Sequence, residues 1–110
     1  MVDESGLDMD FTSGMAAFEA KEFSRAKQFL SPFAEQGNAE AQHRMAIMYQ
    51  NGLGLVKDEA KAAEWFEKAA NQGMAGAAMT LGMMYEQGQG VAQDADKAQE
   101  WYKKSETMQQ

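Results

Sequence analysis

Apolar residues along this chain recur at helical rather than strand spacing. Between Met9 and Lys21, Phe11, Met15 and Phe18 stand at i, i+4 and i+7, one face of a helix. Glu22 to Gln36 repeats the arrangement with Ala26, Phe29, Leu30 and Phe33. The turn around Ala20-Lys21-Glu22-Phe23 is short, so these two helices are expected to lie antiparallel. Ala39 to Asn51 turns Ala41, Met45, Met48 and Tyr49 inward, and the helix after it Ala62, Trp65, Phe66 and Ala69. A last pair does the same with Ala77, Leu81, Met84 and Tyr85, then with Ala98, Trp101 and Tyr102.

The breaks between these segments have their own chemistry. Gly37, Gly52 and Gly73 follow the last apolar position of a helix, where a left-handed residue closes the final turn. Asn38, Asp58 and Asp94 precede helices as N-caps, accepting from otherwise unpaired amides. The connector Gly52-Leu53-Gly54-Leu55-Val56-Lys57 returns as Gly88-Gln89-Gly90-Val91-Ala92-Gln93, with Leu55 and Val91 as plugs between helices. Pro32 lies inside the second helix and removes a backbone hydrogen bond, so a kink near Gln28–Pro32, or a break into two pieces, is expected. Polar residues 1–8 read as a flexible lead-in and 107–110 as a fraying tail.

The chain also repeats itself. Shifted by 36 residues, Ala41–Ala70 falls on Ala77–Glu106 without a gap, and eleven of thirty positions are identical. A period of this size marks stacked supersecondary units that cannot bury their apolar faces alone. A weaker third copy aligns Arg25, Ala26, Phe29, Gln36 and Gly37 with Lys61, Ala62, Trp65, Gln72 and Gly73. After Trp101 the pattern turns polar: Ser105 and Glu106 stand where Ala69 and Ala70 stood, as befits an end unit with no neighbour. The reading is an all-α chain, an α/α superhelix of three antiparallel helix pairs and six helices. Its units are 9–37, 38–73 and 74–106, within one domain.

Met45-Ala46-Ile47-Met48-Tyr49 with Gly52-Leu53-Gly54-Leu55, Asp58, Lys61-Ala62, Trp65-Phe66, Lys68-Ala69-Ala70 and Gln72-Gly73 resembles the Sel-1-like repeat. So does Leu81-Gly82-Met83-Met84-Tyr85 with Gly88-Gln89-Gly90-Val91, Asp94, Lys97-Ala98 and Trp101-Tyr102. The match covers about residues 37–106. The first pair departs from it: Gly14 and Ala26, twelve apart across a short turn, look like the related tetratricopeptide repeat. Ala46 stands where the family usually has the glycine seen at Gly82, and its methyl is expected to open the helix contact slightly. The resemblance implies a solenoid whose first helices line a concave surface, in a family of non-catalytic adaptors, many of them bacterial, that bind proteins or peptides. In the tetratricopeptide-like register that surface would carry Phe11, Met15 and Phe18, then His43, Ile47 and Gln50, then Met79, Met83 and Glu86. Met15, Ile47 and Met83 would form an apolar strip suited to a peptide with apolar anchors, since methionine adapts to several shapes. The opposing reading packs these side chains against one another and leaves no groove.

Composition narrows the function. A net charge of −7 without clustered Lys or Arg disfavours nucleic acid. No apolar run approaches the ~20 residues of a membrane span. The acidic start Met1-Val2-Asp3-Glu4-Ser5 lacks the regions of a signal peptide, which leaves cytoplasm and periplasm both open. The chain has no cysteine and one histidine, and no nucleophile with an adjacent base, so no catalytic residue and no cofactor is assigned. Gly54 and Gly90 precede helices, but a helix rather than a strand comes before them, which argues for structural corners over phosphate loops. Met79, Met83 and His43 give a second, metal-handling reading through thioether and imidazole ligands, although core filling accounts for most of the ten methionines. No metal residue is assigned. Trp65 and Trp101 are expected in the core, each hiding roughly 150–250 Å² from water. Glu64–Lys68 and Glu100–Lys104 stand at i, i+4 as ion pairs worth a few tenths of a kcal/mol. The expected role is a protein- or peptide-binding scaffold, with homo-oligomerisation through the solenoid ends as the alternative.

Overall fold

Six helices follow one another without a strand among the described residues: α1 (Glu4–Glu19), α2 (Phe23–Glu35), α3 (Ala39–Asn51), α4 (Glu59–Asn71), α5 (Ala75–Gln87) and α6 (Ala95–Met108). The structure is a computed structural model that describes the backbone of residues 4–108 and the side chains of residues 10–108. Each helix packs mainly on its neighbours in sequence, giving an elongated stack of 51 × 32 × 21 Å. The helical boundaries run past the apolar pattern at both ends. α1 begins at Glu4, within the expected lead-in 1–8, and α6 continues to Met108, within the expected tail 107–110. Residues 1–3 and 109–110 lie outside the described residues.

The caps hold the helices to length. Asn38, Asp58 and Asp94 each accept the backbone N–H three residues on, at 2.9, 3.0 and 3.0 Å. α2 runs unbroken through Pro32, so the proline does not split the helix. The α1–α2 turn uses a lysine where the other helix ends use glycine: Lys21 has φ +64°, and Glu22 N–H reaches the Ala17 carbonyl at 2.8 Å.

Two apolar clusters share the interior. One joins Ala17, Ala26, Leu30, Ala34, Met45 and Met48 from α1, α2 and α3. The other joins Ala46, Phe66, Ala70, Leu81, Met84 and Trp101 from α3 to α6. Trp65, half-buried, touches both clusters. In each pair a small residue of the first helix seats a large one of the second. A Cβ on Gly14 would lie 2.7 Å from Leu30, and one on Gly82 2.7 Å from the Tyr102 ring. Ala46 holds the corresponding place beside Phe66, fully buried. Its methyl is accommodated with both Ala46 and Phe66 fully buried.

The connectors join one pair to the next. A Cβ on Gly54 would stand 2.5 Å from the Phe23 carbonyl carbon, and one on Gly90 would run into the Glu59 carbonyl oxygen. Each glycine thus lies against the first turn of the second helix in the preceding pair. Leu55 and Val91 plug the same joints, on the first and second cluster respectively. A further tie is polar. The buried Gln42 donates to the Ala34 carbonyl at 3.1 Å and accepts from Gln72 at 2.8 Å, while Gln72 also donates to the Gly37 carbonyl at 2.8 Å.

Candidate functional site

The first helices α1, α3 and α5 carry the nine candidate residues at matching positions, and the structure treats the three helices differently. On α1, Phe11 meets Phe33 edge-on at 5.3 Å between ring centroids, and Phe18 meets Phe23 at 5.4 Å. Met15 is half-buried against the same cluster. On α3, the His43 ring stands edge-on to Phe66 at 5.8 Å, Ile47 packs on the second cluster, and Gln50 is half-buried. On α5 the strip opens: Met79 is 43% exposed and Met83 44%. The reading in which these side chains merely pack together therefore describes α1 and α3 in part, and fails at α5.

Helix α6 reaches round to the edge of the strip. Its Tyr102, lying on Gly82, donates its hydroxyl to Glu86 Oε1 at 2.6 Å. That hydrogen bond, with smaller contributions from desolvation and from the carboxylate charge, holds the Tyr102 phenol above the usual tyrosine range. His43 moves the other way. Burial first, then the neighbouring Arg44 charge, lower its pKa, and Glu40 opposes them more weakly. The imidazole is therefore neutral at pH 7.

Arg44 ties α3 to α1. Its guanidinium stands 4.9 Å from the Phe18 ring centroid, and Nη2 lies 3.9 Å from Glu19 Oε2. That is the one ion pair among the described residues. The expected Glu64–Lys68 and Glu100–Lys104 pairs are not formed. Lys68 and Lys104 instead lie 4.4 Å from the ring centroids of Trp65 and Trp101, where a cation–π contact shields the ring face as well.

The strip is a surface rather than a cavity. Two clefts of about 220 and 290 Å³ open between α1 and α2, and neither is lined by any of the nine residues. Among the described residues no three His, Asp or Glu side chains gather around a point where a metal ion could sit. No helix there is long and apolar enough to cross a membrane. An open, mixed apolar and polar face suits another polypeptide better than a small molecule, which needs a concave pocket.

Comparison with known proteins agrees with this architecture. Residues 39–74 and 75–108 match the Sel1 repeat model. Among solved structures, the chain is similar to a Sel1 repeat protein from Oxalobacter formigenes, with TM-score 0.85 and 33% identity over 91% of this chain and 41% of that one. It is also similar to c5321, a protective antigen present in uropathogenic Escherichia coli strains displaying an SLR fold, with TM-score 0.87 and 30% identity over 97% and 24% of the two chains. Helicobacter pylori cysteine rich protein B shares the fold at TM-score 0.76 and 20% identity, over 99% of this chain and 92% of that one. The chain thus spans less than half the length of the first two. Among the curated proteins none matches.

Proposed function

Because this chain belongs to the Sel1 repeat family, whose members generally serve as protein–protein interaction scaffolds, we propose that it docks a polypeptide on the face of α1, α3 and α5. The role is non-catalytic. The observation that carries the choice of face is the exposure of Met79 and Met83. They are two of the three large hydrophobic side chains left exposed among the described residues, and they share one face of α5 at i, i+4. The third, Val56, stands alone in a connector. Two thioethers one turn apart make an adaptable apolar contact, and half-buried Ile47 and Met15 continue it on α3 and α1.

A photocrosslinking residue placed in turn at Ile47, Met83, Lys27 and Lys103 tests this in the producing cells. Ile47 and Met83 should yield the same covalent adduct, and Lys27 and Lys103, on second helices, should not. Adducts confined to Lys27 and Lys103 would move the site to the other face.

A further inference from the structure

The helix assignments show where the charge of this acidic chain resides. α1, α3 and α5 hold six acidic residues, Glu4, Asp8, Asp10, Glu19, Glu40 and Glu86, against the single cation Arg44. α2, α4 and α6 hold seven acids and seven cations. The helices offering the apolar strip thus carry a net charge of −5 out of −7, and their partners none. The one cation among them is already engaged, by Glu19 and the Phe18 ring. His43 adds no positive charge at neutral pH, because burial favours the uncharged ring.

Three of these acids, Glu19, Glu40 and Glu86, border the apolar positions of the strip. Glu40 is three residues before His43, and Glu86 three residues after Met83. The first helices of stacked pairs run in the same direction, so Glu40 marks one edge of the strip and Glu86 and Glu19 the other. Between the edges lie the i and i+4 positions, about 6 Å along each helix. The field of such a face attracts cations and repels an acidic chain.

Building on the docking face proposed above, we infer that its occupant is a basic amphipathic peptide segment, with apolar anchors seated on Met79, Met83 and Ile47 and Lys or Arg on both flanks meeting Glu40 and Glu86. An acidic or neutral segment of the same apolar pattern gains the methionine contact but not the flanking pairs. Selection between partners then rests on charge, as the shape-tolerant methionines supply little of it.

Three labelled 18-residue helical peptides with one shared Leu/Met face test this: one with Lys and Arg flanks, one with Gln, one with Glu. Fluorescence anisotropy reads affinity at low and high salt, with circular dichroism confirming the fold of every variant. The basic peptide should bind tightest, weaken with salt, and lose about tenfold in affinity, ~1.4 kcal/mol over two exposed pairs, to Glu40→Gln with Glu86→Gln. Glu64→Gln with Glu67→Gln on α4 should change nothing. If the Gln peptide binds as well as the basic one and both are lost with Met79→Ser and Met83→Ser, the charge inference falls while the docking face stands. If affinity follows Glu64 and Glu67, both fall. Failure of the basic peptide to bind overturns the inference.

Discussion

Gly54→Ala should separate the repeat stack from its joint more cleanly than any core truncation. Gly54 has φ +74°, where an added Cβ costs about 1 kcal/mol from backbone sterics alone. That Cβ would also stand 2.5 Å from the Phe23 carbonyl carbon and 2.7 Å from Ser24 N, both backbone atoms of the first turn of α2. No rotamer change relieves a backbone clash, so the connector must lift away from the preceding pair, at ~1–3 kcal/mol by analogy with overpacked cores. The total is about 2–4 kcal/mol of the ~5–15 that hold such a domain together. Gly52→Ala is the matched control. Its φ is +69°, but its Cβ would come closest to Lys57 Cβ, at 3.2 Å, with the Lys57 backbone at ordinary contact distance from 3.5 Å, so it should lose about 1 kcal/mol. Urea unfolding followed by tryptophan fluorescence and helical circular dichroism measures both. The same contrast should hold between Gly90 and Gly88, one period on. Equal losses at Gly54 and Gly52 would refute the idea that the connectors are pressed against the preceding pair.

Three further outcomes follow from particular side chains. Lys21→Gly should stabilise the protein by about 0.5–1 kcal/mol in urea titrations, because the left-handed turn at φ +64° then needs no strained Cβ. Gln42→Ala should lose about 1–3 kcal/mol by the same assay, since it removes two hydrogen bonds at a buried joint, to the Ala34 carbonyl and from Gln72, although Ala34 keeps the Gly37 N–H. His43 has a folded pKa below its unfolded value of 6.5, so the unfolded chain binds the proton first. The stability it contributes is complete above pH 6.5 and falls as pH drops through the folded pKa; His43→Gln should flatten that part of the urea-midpoint profile.

The 36-residue identity between two units made the helical stack legible before any coordinates, and the glycine and aspartate punctuation placed the helix ends. Three features escaped. The Gln42–Gln72 tie has no period: Ala78 and Met108 hold the corresponding places, so a buried glutamine reads as an ordinary surface residue. Lysine at i+4 from glutamate suggests an ion pair, but the tryptophan three residues before Lys68 or Lys104 offers a larger surface to cover. The beginning of α1 extends the apolar spacing through Leu7 alone, four residues before Phe11; Glu4 in its first turn suits the positive end of the helix dipole, a weaker signal than the periodicity. The candidate strip was legible as a register, but not its unevenness. That Met79 and Met83 stay open while Phe11 and Phe18 turn onto α2 depends on which neighbours arrive, and only the packing reveals it.

Methionine methyl resonances offer the most direct view of the docking face. With ¹³C-methyl methionine in the intact chain and the basic peptide as probe, the Met79, Met83 and Met15 signals should shift together as peptide is added. Those of the buried Met45, Met48 and Met84 should hold still. Saturable binding that leaves Met79 and Met83 unmoved would place the partner elsewhere and contradict a scaffold that works through its first helices.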